Sequence, residues 1–157
     1  ALLILFSVVF LGDQLAKARP VIPELKSPLL FTHVITCALA YASFVVGAGL
    51  AAVRLKKGGP EETGLWVFRI SAFGFVMLTL GILLGAVWAE QAWGSYWSWD
   101  PKEIWALITW VIYAIYFHKR KSWSAKTSNI MVILGCALAI LTFFGVNFLL
   151  SGLHSCA

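Results

Sequence analysis

The sequence predicts an all-α integral membrane protein. It is expected to be a polytopic helical bundle with about four complete transmembrane helices, a partial N-terminal one before them, and an external tryptophan-rich loop. Three observations carry this. Hydrophobic residues make up 61% of the chain and charged residues 12%, whereas a soluble domain is roughly half apolar and a quarter charged. Apolar runs at 29–53, 65–89, 104–117 and 129–150 each cross or nearly cross a bilayer, which takes about 20 residues. The third observation is where the basic residues lie: Arg54, Lys56, Lys57, Lys119, Arg120, Lys121 and Lys126 crowd two short connections.

That asymmetry sets the expected orientation, because basic residues in short loops mark the cytoplasmic side, or the stroma in a plastid. Residues 54–64 and 119–128 are expected inside, and residues 13–28, 90–103 and 151–157 outside. The net charge of +5 is then a matter of topology. No basic groove supports a nucleic-acid partner, and membrane lipid is the expected surrounding. The chain is read as one domain, 1–157, forming the C-terminal part of a longer protein.

Residues 1–12 are apolar but too short to span, and read as the tail of a helix that begins upstream. With no basic n-region and no cleavage site, they are not an intact signal peptide. Residues 13–28 carry Pro20, Pro23 and Pro28; proline removes an amide donor and disfavours helix before it, so this is an external segment. The second helix runs from near Leu29 to near Arg54. His33 lies roughly 32 Å from Arg54 at 1.5 Å per residue, hence near the outer end. Gly47 and Gly49 with Ala48, Ala51 and Ala52 offer a small-residue face for close helix approach.

The third helix is expected over about 65–89, with Arg69 near its inner end and Gly74, Gly81 and Gly85 for close packing. The fourth begins inside the stretch 93–103, "WGSYWSWDPKE". Asp100 fits the N-cap, Pro101 the first helical position and Glu103 the third, a capping box with proline where its missing amide costs nothing. Trp99 and Ile104 are placed for a hydrophobic staple. His118 follows Pro101 by roughly 26 Å, deep toward the inner face. The fifth helix starts near Ser128 or Asn129 and rises past Asn147, with His154 beyond it outside.

The histidines therefore fall in two places. His33 and His154 share the outer side with Trp93, Trp97 and Trp99; His118 lies most of a membrane away and cannot ligate the same metal. Zinc and copper sites want three or four ligands, whereas haem iron needs two axial ones. Cys37, Cys136 and Cys156 form no CxxC, zinc or CxxCH pattern. Two histidines beside a flat aromatic platform suit haem, with Lys102 or Lys26 for a propionate. Plainer roles stand beside this one: an interfacial aromatic belt for the tryptophans, a cap for Asp100, a helix-dipole partner for His118. Residue chemistry alone stops at a membrane protein with an external aromatic site.

"WGSYWSWDPKE" followed by "IWALITW" resembles the WWD signature of the haem-handling superfamily, and within it the CcsA (ResC) branch of cytochrome c maturation. "PVIPELKSPLLFTHV", "AIYFHKR" and "GLHSCA" resemble the family's histidine contexts, in the family's order, so the resemblance spans most of the chain. It implies a system II synthase subunit that moves haem b, as its substrate, across a bacterial plasma membrane or thylakoid membrane. With a CcsB-type partner, such proteins present haem to apocytochrome c and help attach it to a CxxCH motif.

Carried over by residue, the resemblance makes His33 and His154 the outer axial ligands. Trp93, Gly94, Tyr96, Trp97, Trp99, Asp100 and Pro101 become the haem platform in the external loop, 90–103, and His118 the inner ligand. The family's inner site has two histidines, so the second is expected from the partner. "GLHSCA" ends in Cys156 and Ala157 where the family has an aromatic and a glycine. A haem-containing membrane electron-transfer subunit and a non-haem membrane scaffold are the alternatives. The first commonly places paired histidines on transmembrane helices; the second binds no haem.

Overall fold

A computed structural model describes residues 27–145 of the chain. Four helices follow one another: α1 (Pro28–Lys57), α2 (Glu61–Trp93), α3 (Pro101–Lys119) and α4 (Ala125–Ile140), the last continued by a π-helical turn, Leu141–Gly145. The expected all-α bundle is therefore present. The partial N-terminal helix, the proline segment up to Lys26, Asn147, His154 and Cys156 lie outside the described residues.

Among the described residues, three elements are long and apolar enough to cross a membrane: α1, α2 and the stretch Ala125–Phe144. The remaining expected span is α3, whose 19 residues carry capping residues at one end and His118–Lys119 at the other, leaving a shorter apolar stretch between. Large apolar side chains face outward along the bundle, among them Phe31, Val46, Trp66, Phe73 and Leu83. In water that surface would be unfavourable; in lipid it is solvated. α1 and α2, with 30 and 33 residues, are about 45 and 50 Å long. Both exceed the roughly 30 Å hydrocarbon core, so their ends stand clear of it.

The ends of each helix have local causes. The Ser27 hydroxyl caps α1 by accepting from the Leu29 amide, with Pro28 at its first position. Gly58, at φ +67°, ends it. Ser124 caps α4, its hydroxyl accepting from the Thr127 amide, so this helix begins a turn earlier than the apolar run alone indicates. α2 continues to Trp93 because Gly94 supplies the left-handed C-cap, its amide donating to the Glu90 carbonyl at 2.8 Å. The loop between α2 and α3, expected over 90–103, is therefore 94–100.

α1 and α2 pack antiparallel along one continuous seam. His33 lies on Gly85, Cys37 on Gly81, Phe44 on Gly74, Gly47 on Ser71 and Arg54 on Gly64. Each pair is equally far in sequence from Gly59, the middle of the turn. With buried Ala40 and Ala51 between them, the α1 positions recur at alternating steps of four and three, as in a coiled-coil seam. At four of the five pairs α1 supplies the larger side chain and α2 a glycine, so the backbones can approach closely. Gly47 and Ala51 are buried, as expected of a small-residue face, but nothing approaches Gly49, which points away.

α4 packs on α1 and α3, and α3 makes a lighter contact with α2. At the centre the Phe44 and Tyr113 rings stack with centroids 3.9 Å apart and planes 13° apart. Tyr113 is itself seated on Gly135 and donates from its hydroxyl to the Val132 carbonyl. The Trp110 indole donates to Thr79 Oγ1 at 2.9 Å, tying α3 to α2. Arg69 stands over the Trp66 ring.

The seam gives a direct test. A Cβ at Gly74 would lie 2.7 Å from Phe44 Cε1, so Gly74→Leu must break the central stack. It is expected to cost about 1–3 kcal/mol in reversible unfolding in detergent. Gly49→Leu is expected to stay within about 0.5 kcal/mol of wild type.

Candidate functional site

A cavity of about 330 Å³ opens at the end of the bundle where α1 begins, α2 ends and α3 begins. Its size falls at the lower end of small-molecule sites, roughly 300–1,000 Å³. α1 lines it with His33, Cys37 and Tyr41, α2 with Ile82 and Gly85, the loop with Tyr96 and Trp97, and α3 with Lys102 and Glu103. The π turn contributes Thr142 and Phe143. Phe143 meets Tyr41 edge to face at 5.8 Å.

His33 is fixed from two sides. Its ring lies against Gly85, where a Cβ would come within 2.8 Å of both Cε1 and Nδ1. Nδ1 is 2.8 Å from the Gly81 carbonyl oxygen. A carbonyl only accepts, so Nδ1 donates to it. Histidines that ligate metals are often held by a carbonyl in this way.

The loop is organised by one carboxylate. Glu103 accepts from the amides of Ser98 (2.8 Å) and Asp100 (3.2 Å) and from the Ser98 hydroxyl (3.2 Å). Asp100, 6% exposed, accepts from the Lys102 amide at 2.9 Å. The expected capping box is complete, and Glu103 extends it two residues back to grip the loop. Asp100 and Pro101 thus set the start of α3 and do not line the cavity.

The tryptophans divide. Trp97 lines the cavity and meets Trp99 edge to face at 6.0 Å. Trp99 is 69% exposed and sits at φ +58°, a left-handed conformation that costs a non-glycine residue about 1–2 kcal/mol. Ile104 is also exposed, so the expected staple buries little. Trp93, placed by sequence in the loop, ends α2 and packs on Trp88 at 4.9 Å. Gly94 caps that helix, and Tyr96 lines the cavity with most of its surface exposed.

His118 lies in the last turn of α3, at the opposite end of the bundle. Its Nδ1 is 2.7 Å from the Ala114 carbonyl oxygen, to which it donates. His154 lies outside the described residues. Among these residues no group of three or more His, Cys, Asp or Glu side chains could hold a metal ion. Cys37 and Cys136 are unbridged thiols. Sequence reading missed Tyr41, Gly85 as the seat of His33, and the π-turn residues. Spacing held part of the signal: Cys37 and Tyr41 follow His33 at intervals of four, hence on one helix face.

Comparison with known proteins places this end of the bundle in context. The family described as "Cytochrome C assembly protein" matches residues 1–154. The chain belongs to the cytochrome c assembly protein family. It is 40% identical over 164 residues to cytochrome c biogenesis protein CcsA of Chlamydomonas reinhardtii, covering 96% of this chain and 46% of that protein. It is 39% identical over 183 residues to the CcsA of Guillardia theta, covering 96% and 61%. The CcsA of Parasynechococcus marenigrum is 36% identical over 193 residues, covering 97% and 63%. The chain thus spans about half to three-fifths of these members of the cytochrome c assembly family.

The conformation of Trp99 can be tested apart from its ring. Trp99→Gly and Trp99→Ala both lose the contact with Trp97, but only glycine is at ease at positive φ. Trp99→Gly is expected to be the more stable by about 1 kcal/mol in thermal unfolding. Equal stabilities would remove the strain.

Proposed function

We propose that this chain carries the haem-presenting site of a system II cytochrome c synthase. Haem b is its substrate, held at the tryptophan-loop end and presented to the CxxCH motif of apocytochrome c with a CcsB-type partner. The observation that carries this reading is His33. Its imidazole is seated on Gly85, has Nδ1 committed to Gly81, and opens into an apolar cavity beside Trp97 and Lys102.

These residues suit the ligand. His33, held by the Gly81 carbonyl, would supply one nitrogen to the haem iron, and His154 is the proposed second ligand. Trp97 and Tyr96 offer flat apolar surface to a porphyrin, with Trp93, Gly94, Trp99, Asp100 and Pro101 shaping the loop around it. Lys102 lines the same cavity and carries the charge that a propionate would pair with. Positioning is the chemistry required. Joining a thiol to a vinyl group adds S–H across C=C with nothing leaving.

The two-place arrangement belongs to the same proposal. His118 receives haem at the opposite end, with its second ligand from the partner, and the loop end faces the periplasm or thylakoid lumen. The electron-transfer alternative favours paired histidines on one helix. Among the described residues α1 and α3 carry one each, and α2 and α4 none.

The test is a visible spectrum of the purified chain co-produced with its partner. His33→Gly is expected to lose the low-spin haem signature of the outer site, and added imidazole to restore it. Gly85→Val removes no ligand but displaces the His33 ring, and is expected to give the same loss. Haem content and spin state unchanged in both variants would remove His33 from the site.

A further inference from the structure

The opposite end of the bundle holds a second cavity, of about 380 Å³, between the α1–α2 turn and the start of α4. Its lining includes Arg54, Lys126, Asn129 and the backbone of Gly58 and Gly59, and no carboxylate. Arg54 reaches it from the seam, where its guanidinium lies against Gly64. Lys126 is exposed at the second position of α4.

Two further features point to an anion. The Ser124 hydroxyl and carbonyl take the amides of Thr127 and Ser128. That leaves the amides of Ala125 and Lys126 without intrahelical acceptors at the positive end of the helix dipole. Independently, Asn129 is 3% exposed yet lines the cavity. Its amide makes no hydrogen bond among the described residues. Its amide opens to the cavity, where the N–H can donate to a ligand oxygen.

We propose that this pocket is a phosphate-binding site that takes the phosphodiester of an anionic lipid headgroup from the leaflet on that side. Two cations, the start of α4 and the Asn129 side-chain amide line this one cavity. Helix N-termini and Arg–Lys pairs both recognise that group. The site lies at the end of a membrane bundle, level with headgroups, where basic pockets between helices take up acidic lipids. It lies at the other end of α1 from His33 and uses none of the residues placed around haem.

The experiment is native mass spectrometry of the full chain with its partner, delipidated and exchanged into micelles containing phosphatidylglycerol or phosphatidylcholine. Phosphatidylglycerol is expected to be retained at least about tenfold better, and Lys126→Gln to weaken that retention severalfold. Asn129→Asp keeps the side-chain size but places a negative charge at the phosphate, and is expected to abolish retention. Arg54→Gln disturbs the seam as well, so it serves as a supporting variant only. A parallel arm adds inorganic phosphate. Displacement of the lipid only at large excess supports the headgroup as source, whereas tight binding of inorganic phosphate with no lipid preference overturns it. Equal retention of the two lipids, or retention unchanged in both the Lys126 and Asn129 variants, overturns the site itself.

Discussion

Everything at the loop end rests on how closely α1 and α2 approach. Lipid offers helices no hydrophobic gain for associating with one another, so their contact must come from van der Waals packing and a few polar bonds. Glycine on α2 at the seam lets large α1 side chains lie flat on backbone. The same device that packs Phe44 at the centre seats His33 at the end. The imidazole's position is therefore a property of a long rigid contact, and its orientation a property of the Gly81 carbonyl. A side chain fixed in this way loses little freedom on binding, which is the physical meaning of preorganisation.

The other wall of the cavity is built differently. It is a short loop whose backbone polar groups are drawn onto Glu103, with the Asp100 cap beneath them. Such a loop moves with the start of α3, because one carboxylate belongs to both. Trp99 at positive φ shows that the loop is held against local preference, a condition found at sites where geometry serves function. One wall is fixed by packing over the length of two helices, and the other by hydrogen bonds within a few residues.

That difference also decides what could be read from sequence. The capping box at Asp100, Pro101 and Glu103 is local in sequence and was legible in full. So was the polytopic all-α class, because apolar run length is a one-dimensional signal. The glycines of α2 indicated close packing but not their partners, since the register between helices is a tertiary fact. Trp93 was expected in the loop although Gly94, following an apolar run, is a common helix stop. The π turn that brings Thr142 and Phe143 to the cavity has no sequence signature. His154 lies outside the described residues, so the sequence reading of it stands as part of the proposal.

The symmetry of the seam about Gly59 has a consequence for how such a chain can diverge. Substitution at one pair disturbs that pair. Adding or deleting a residue within α2, between Gly64 and Gly85, rotates every later α2 position by about 100°, so the glycines beyond it leave their partners together. Change of length within the seam is therefore far more damaging than change of side chain, whereas the turn between Lys57 and Glu61 lies beyond the seam's inner end and can absorb it.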